Sequence, residues 1–366
     1  MRKTLLYLVI LAVLGFGIYF FLLKKTDSPY SADEAGFTIK DTGAIGKIYI
    51  VTNDGDAVLV ERTDSAWMVN KKYRALPSML NLLMGTLAQQ TALYPVTKNA
   101  FDNVIKSMST DGIKTEIYGR DGKKMRVFYV GGTAVNNTGT NMLMDGAHTP
   151  YVVQVQGFDG YLTPRFTTNI KDWRDRTVFS MPAEEIKTIS VQYADKPINS
   201  FVVNNDNGTI NVKADPEIMN HLDSINQRKA HIYIKYFTNV NCEGYLNGVA
   251  GMDSAISKAP KQSTIDIVGL HGQHQHADIY WMGLNKRSKN VTQSDPDVPD
   301  DYDADRLYAV INNGQDTVMV QQQAFKKIFR KAFEFYQKDM QLSPEQQKEY
   351  EHEKEQSKNV LFHKKV

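Results

Sequence analysis

Three imidazole side chains, those of His271, His274 and His276, lie within six residues of one another. Imidazole nitrogens are common ligands of Zn²⁺ and Ni²⁺ in proteins. Because side chains alternate between the two faces of a strand, His274 and His276 would point the same way if they lie in one. The spacing predicts a metal site formed by these three histidines, and an exposed polar turn without a metal is the alternative.

A second cluster is acidic and consists of Asp295, Asp297, Asp300, Asp301, Asp303 and Asp305. The last three residues have the opening spacing of an EF-hand calcium loop. The sixth position of that loop holds Arg306 instead of glycine, and the twelfth holds Asn312 instead of glutamate, so the EF-hand pattern fails. A looser calcium site and a solvated Asp/Pro loop remain as the two interpretations.

The sequence carries no template of a common enzyme class. It lacks a GxSxG elbow, a P-loop, a GxGxxG turn after a strand and an HExxH helix. The single cysteine, Cys242, excludes an internal disulfide and a CxxC site, and a small buried side chain is the expectation for it. We therefore expect no catalytic residues, no cofactor and no enzymatic activity.

The charge is unevenly distributed, although the 43 basic and 41 acidic residues nearly balance. The first 25 residues hold four basic side chains and no acidic one, which leaves 39 basic and 41 acidic residues for the rest. Contacts to phosphates need a concentrated excess of Lys and Arg. We therefore expect no nucleic-acid partner.

The run Leu5–Leu23 contains 19 residues without a charged side chain. As a helix it would span roughly 28 Å, close to the hydrocarbon thickness of a bilayer. It is longer than the apolar core of a cleaved signal peptide, and it ends in lysines instead of small residues. The run predicts a single-pass transmembrane anchor, with the membrane as one partner.

The positive charges that would orient this anchor are equal in number on its two sides, with Arg2 and Lys3 before it and Lys24 and Lys25 after it. The very short leading tail and its free amino group favour an N-terminus inside. The predicted location is the cell inner membrane, and residues 26–366 are predicted to lie in the periplasm or another compartment outside the cytoplasm.

The remainder alternates between short strand patterns, turns and a few helices. Alternating residues separated by Asn/Asp/Gly turns predict a three-stranded meander over Lys47–Asn70, followed by a helix over Ser78–Thr91. A similar order returns from Ile186, with a predicted helix over Glu217–Arg228 and later hairpins. An apolar stripe predicts a last helix over Gln323–Lys338.

This repeated order predicts a tandem duplication of one antiparallel-sheet-plus-helix unit. The predicted fold class is α+β, with an N-terminal transmembrane helix ahead of the two units. The predicted domains are an anchor over 1–25, a first unit over 37–182, a second unit over 183–338 and a charged tail over 339–366.

A string of landmarks lies between Ile45 and Phe179, namely Trp67, Pro77, Gly112-Ile113, Val130-Gly131, Tyr151-Val152-Val153 and Trp173-Arg174-Asp175-Arg176. This string resembles a bacterial family of membrane-anchored extracytoplasmic domains of unknown function, often encoded beside gliding-type ABC transporter subunits. Asp111 replaces the tyrosine that usually leads one turn of this family. The resemblance implies location and architecture only, because the family has no established activity.

Two functions follow as expectations. The first is a non-enzymatic, membrane-anchored accessory protein of an ABC-type transporter or cell-envelope complex, with a protein partner. Trp173, Arg174, Asp175 and Arg176 are its candidate interaction residues, and a locally packed connector is their alternative role. The second function is a metal-binding or metal-dependent hydrolytic ectodomain that uses His271, His274 and His276.

Overall fold

The computed structural model describes residues 34–219, 224–290 and 298–337. The chain divides into two compact units, the first ending at Asp175 and the second beginning at Arg176. This boundary lies seven residues before the predicted one, since the short strand Thr177–Phe179 pairs with Val240–Asn241 and so belongs to the second unit.

The first unit is built around one antiparallel sheet. Its strands are β1 Ile45–Thr52, β2 Ala57–Arg62, β3 Trp67–Val69, β4 Tyr73–Arg74, β5 Gln90–Pro95, β6 Ile113–Gly119, β7 Lys124–Thr133, β8 Thr140–Met144 and β9 Tyr151–Val155. Its α-helices are α1 Pro77–Gln89, α2 Lys98–Asp111 and α3 Ile170–Trp173, and its 3₁₀ turns are Thr42–Ala44, Val135–Asn137 and Thr163–Phe166.

Within the described residues these nine strands form one sheet in the order β4-β3-β2-β1-β6-β7-β8-β9-β5. Pro77 fits the first position of α1, where a helix needs no N–H partner. Leu80, Leu83 and Leu87 recur at helical spacing and are buried against the sheet. The core also includes Phe128, which packs edge-on against two further phenylalanine rings.

The second unit repeats this architecture. Its strands are β10 Thr177–Phe179, β11 Ile186–Tyr193, β12 Phe201–Asp206, β13 Thr209–Ala214, β14 Ser224–Ile225, β15 Val240–Asn241, β16 Gly244–Tyr245, β17 Lys261–Gly269, β18 His274–Gly283, β19 Tyr302–Ile311, β20 Asp316–Gln321 and β21 Tyr336–Gln337. Its α-helices are α4 Pro216–Met219, α5 Gln227–Lys235, α6 Met252–Lys258 and α7 Gln322–Phe325, and its 3₁₀ turns are Ala183–Glu185, Pro197–Asn199, Tyr236–Thr238, Ser288–Asn290 and Ala332–Phe335.

Among the described residues, eight of these strands form the main sheet in the order β13-β12-β11-β17-β18-β19-β20-β16. Tyr233 of α5 is the centre of an aromatic cluster in the core and lies against Phe201, Phe237 and Phe335. Its hydroxyl donates a hydrogen bond to the carbonyl of Ile328, so the buried polar group is satisfied.

Apart from the edge strand β4, the two main sheets have the same strand order. In the first sheet the order β3-β2-β1 continues into β6-β7-β8-β9 and ends at β5. In the second sheet the order β13-β12-β11 continues into β17-β18-β19-β20 and ends at β16. Details agree as well. The pairing of β1 with β6 shifts register after Ile45, and that of β11 with β17 shifts after Ile186. A 3₁₀ turn precedes β1 and another precedes β11. The carbonyl of the last residue of each 3₁₀ turn accepts a hydrogen bond from the turn of the β6–β7 hairpin in the first unit and of the β17–β18 hairpin in the second.

The predicted fold class is wrong in its transmembrane helix. Within residues 34–219, 224–290 and 298–337, no helix is long and apolar enough to cross a membrane, and the predicted span Leu5–Leu23 lies outside these described residues. The longest described helix, Lys98–Asp111, has 14 residues. At about 1.5 Å per residue it falls short of the hydrocarbon thickness of a bilayer, so no described helix supports the transmembrane and single-pass assignments.

Two predicted helices differ from the structure. Glu217–Arg228 is replaced by α4, the strand β14 and the start of α5, because Ser224 and Ile225 pair with Gln337 and Tyr336. The predicted helix Gln323–Lys338 is reduced to α7, a 3₁₀ turn at Ala332–Phe335 and β21. The predicted charged tail from 339 lies outside the described residues.

Candidate metal centre

The β17–β18 hairpin brings one carboxylate and two imidazoles to the same face of the second sheet. In its register Asp266 lies opposite His276, and Val268 lies opposite His274. Since side chains two residues apart share a face, His274, His276 and Asp266 all point away from the core. The alternate residues Ile265, Ile267 and Ala277 are fully buried on the other face.

The three polar side chains are close enough to share one ion. The Oδ1 atom of Asp266 lies 2.9 Å from Nε2 of His274 and 2.7 Å from Nδ1 of His276. One ligand atom from each residue falls within 4.8 Å of the others. Two imidazoles with one carboxylate form a three-ligand set that suits a divalent transition metal and leaves coordination positions open.

A second layer of contacts orients His276. Its Nε2 atom lies 3.5 Å from Oδ2 of Asp278. The other carboxylate oxygen of Asp278 accepts hydrogen bonds from Lys261 Nζ at 2.8 Å and from Thr264 Oγ1 at 2.6 Å. A carboxylate on the far nitrogen of a ligating histidine fixes the ring and its tautomer. His276 is thereby directed with Nδ1 towards the shared space beside Asp266.

The charges of this network are mutually stabilising. Partial burial lowers the pKa of His276, but hydrogen bonds and attraction from Asp266 and Asp278 outweigh burial and raise the pKa above its usual value. Burial likewise raises the pKa of Asp278, and the hydrogen bonds from Lys261 and Thr264 reverse this and leave it lowered. Asp278 is therefore held as a carboxylate, which is the form that supports a ligating imidazole.

His271, the third predicted ligand, does not join this group. It lies in the hairpin turn, where Gly272 adopts a φ of 80°, and its backbone N–H donates to Oε1 of Gln273. The structure brings together His274 and His276, as the period of two predicts, and adds Asp266, which the sequence prediction missed. Asp266 lies in β17, and it joins the site because β17 pairs with the histidine-bearing strand β18.

The equivalent place in the first unit is occupied differently. Glu116 of β6 lies opposite Val127 of β7, so an aliphatic side chain stands where His276 stands in the second unit. Its carboxylate is paired with Lys114 Nζ at 2.8 Å, with Lys124 Nζ at 3.8 Å and with the hydroxyl of Tyr118. Lysines there neutralise the carboxylate, and no imidazole approaches it among the described residues.

The acidic loop is organised internally around Asp303. Its carboxylate is fully buried and receives hydrogen bonds from the guanidinium of Arg287, the amide of Asn285 and the backbone N–H groups of Asp305 and Arg306. Because these donors use both oxygens of the carboxylate, Asp303 holds the loop together and is not an open calcium ligand, and its burial does not match a solvated loop. Asp295 and Asp297 lie outside the described residues.

The four predicted interaction residues, Trp173 to Arg176, lie where the first unit ends and the second begins. Trp173 is fully buried, and its indole N–H donates to the carbonyl of Thr167. Arg174 is also buried, with its guanidinium 3.7 Å from the ring centre of Tyr73. Asp175 and Arg176 are half-buried.

The backbone of residues 173–175 pairs with that of residues 74–76, and the carbonyl of Arg176 accepts a hydrogen bond from the N–H of Cys242. This geometry agrees with a packed connector. Cys242, in the second unit, is buried as expected.

Comparisons with protein-family models, with curated proteins and with solved structures find no match for this chain. The resemblance based on Trp67 and the other landmarks stays a prediction, and so do the accessory role, its transporter or envelope partner, the absence of catalysis and the location outside the cytoplasm. The site must therefore be interpreted from its own geometry.

Proposed function

We propose that this protein binds a divalent transition-metal ion, Zn²⁺ foremost, on the open face of its second unit. The ligands are Asp266 Oδ1, His274 Nε2 and His276 Nδ1. The observation that supports this proposal is their convergence on one space, with His276 oriented by Asp278. The predicted ligand set changes accordingly, with Asp266 in place of His271.

The choice of metal follows from the donors. Ca²⁺ and Mg²⁺ prefer sets composed of oxygen atoms, whereas imidazole nitrogen suits Zn²⁺, Ni²⁺ and Cu²⁺. Three protein ligands with a remaining open position are typical of zinc sites that bind an exchangeable fourth ligand. Two nitrogens and one oxygen therefore favour Zn²⁺ over the alkaline-earth ions.

Little rearrangement is needed to accommodate the ion. Ligand atoms around a tetrahedral Zn²⁺ lie about 3.3 Å apart, given bond lengths of about 2.0–2.2 Å. Asp266 Oδ1 now lies 2.9 and 2.7 Å from the two imidazole nitrogens. These two distances would widen by roughly half an ångström on binding, and the two imidazole nitrogens lie within 4.8 Å of each other. The side chains of His274, Asp266 and His276 are partly exposed and have room for it.

Metal analysis of the purified chain tests the proposal. After removal of all metal and titration with Zn²⁺, calorimetry and elemental analysis should find one tightly bound ion per chain. Asp266→Asn and His276→Ala should each abolish this tight binding. His148→Ala, which changes an exposed histidine in the first unit, should leave binding unchanged. A wild-type chain without a stoichiometric ion would refute the metal function.

A further inference from the structure

We infer that the metal of one chain is completed by His271 of a second copy, so that two chains pair through two shared ions. This inference rests on the proposed metal function. It assigns a role to the one predicted histidine that the cluster leaves out. It also identifies the binding partner at the site as a second copy of the same chain.

The cluster is incomplete within one chain. Among the described residues, the group of His, Cys, Asp and Glu side chains able to share an ion here contains three members. A tetrahedral Zn²⁺ needs a fourth ligand. The exposed fractions of the three side chains are 51% for His274 and 28% for each of Asp266 and His276, so the open position faces outwards.

The surroundings favour a protruding donor over an enclosed small molecule. The three ligand side chains lie on the outward face of the paired strands β17 and β18. Small-molecule sites are usually concave, whereas this cluster lies on the face of a sheet that a side chain from another molecule can reach.

His271 has the properties of that donor. It lies at the tip of the hairpin that carries the cluster, it is exposed, and its imidazole has no hydrogen-bond partner among the described residues. The adjacent Leu270 is 53% exposed and offers apolar contact area beside it. Because the donor and the cluster belong to the same hairpin, one two-fold axis would satisfy both sites at once. Each copy then gives its His271 and receives that of its partner.

Sedimentation and light scattering of the 366-residue chain test this pairing. With chelator the chain should have a mass of 41.4 kDa, and with one equivalent of Zn²⁺ it should have twice that mass. His271→Ala should still bind Zn²⁺ with at least a tenfold weaker affinity and should remain a monomer. His148→Ala serves as the control and should dimerise as the wild type does.

Mixing two variants tests the reciprocal arrangement. His271→Ala keeps the cluster but lacks the donor, and His276→Ala keeps the donor but lacks the cluster. Each alone should stay monomeric, and an equimolar mixture with Zn²⁺ should give heterodimers that hold one ion, half of the wild-type content. This result requires that the donor and the cluster come from different chains.

The outcomes separate the two proposals. A wild-type chain that binds one ion and stays monomeric would overturn the pairing and leave the metal function standing. Dimerisation that persists in His271→Ala would overturn the role of His271. A wild-type chain that binds no ion at all would remove the metal function and the pairing with it.

Discussion

Glu116 and Asp266 occupy the same position in equivalent strands of the two units, yet they have different partners. Glu116 lies on the outward face of β6, which pairs with β1, and Asp266 lies on the outward face of β17, which pairs with β11. Glu116 is paired with Lys114 at 2.8 Å, whereas Asp266 lies between two imidazoles. One fold position thus carries a neutralised carboxylate in the first unit and a candidate metal ligand in the second.

The contact between His276 and Asp278 predicts the effect of removing the orienting carboxylate. Asp278→Asn keeps the shape of the side chain but loses its charge. We expect one Zn²⁺ per chain still to bind, with an affinity lower by about 10–100-fold. Calorimetric titration measures both quantities. Asp253→Asn, on the exposed side of α6, is the matched control and should have no effect. An unchanged affinity in Asp278→Asn would show that this carboxylate does not support the site.

The raised pKa of His276 predicts how stability depends on pH when no metal is present. Its protonated form is favoured by Asp266 and Asp278 in the folded chain. This stabilisation is fully present below the unfolded pKa of about 6.5 and is lost as pH rises through the higher folded pKa. The free energy of unfolding should therefore fall over that range in chelator. Asp266→Asn should flatten the fall, as thermal melts at successive pH values would show.

Glu116 should show the opposite dependence. The hydrogen bonds from Lys114 and Tyr118 lower its pKa against a smaller effect of burial. Its contribution is present above the unfolded pKa of about 4.3 and is lost as pH falls through the lower folded value. The difference in melting temperature between wild type and Glu116→Gln should therefore shrink with acid. A difference that stays constant down to low pH would contradict this assignment.

The buried carboxylate of Asp303 and its hydrogen bonds predict that the acidic loop folds without calcium. Asp303→Ala removes the buried acceptor of the Asn285 amide and of the backbone N–H groups of Asp305 and Arg306, and it should lower the free energy of unfolding. Denaturant unfolding measures this loss. A bound ligand stabilises the folded state by mass action, so a loop that bound calcium would raise the melting temperature in its presence. We expect calcium to leave the melting temperature of the wild type unchanged. A calcium-dependent rise would restore the calcium interpretation.

The sequence was sufficient for the features that depend on local pattern. The meander of β1 to β3 follows from alternating residues and turn signals, and the helix α1 follows from Pro77 and its leucine stripe. The helix predicted over Glu217–Arg228 fails for a non-local reason, since Ser224 and Ile225 pair with a strand more than 100 residues later. Phe325, Ile328 and Ala332 are buried at helical spacing, although the chain leaves the helix after α7.

The candidate site shows the same division between local and non-local information. The shared face of His274 and His276 follows from strand periodicity alone. The participation of Asp266 depends on the register of β17 against β18, which a bulge next to Lys261 helps to set. The place of His271 depends on where the strand ends and the turn begins, and sequence patterns leave such boundaries uncertain by a few residues.

Two glycines predict opposite responses to the same substitution. A Cβ atom on Gly112, where α2 ends, would lie 2.1 Å from the backbone carbonyl oxygen of Met108. A Cβ atom on Gly85, inside α1, would meet no heavy atom within 4 Å. Gly112→Ala should therefore cost about 1–3 kcal/mol, because backbone must move. Gly85→Ala should stabilise the chain by roughly 0.5–1 kcal/mol, because alanine favours the helix interior. Denaturant midpoints measured side by side distinguish the two effects, and a Gly112→Ala chain as stable as wild type would contradict the close approach at the end of α2.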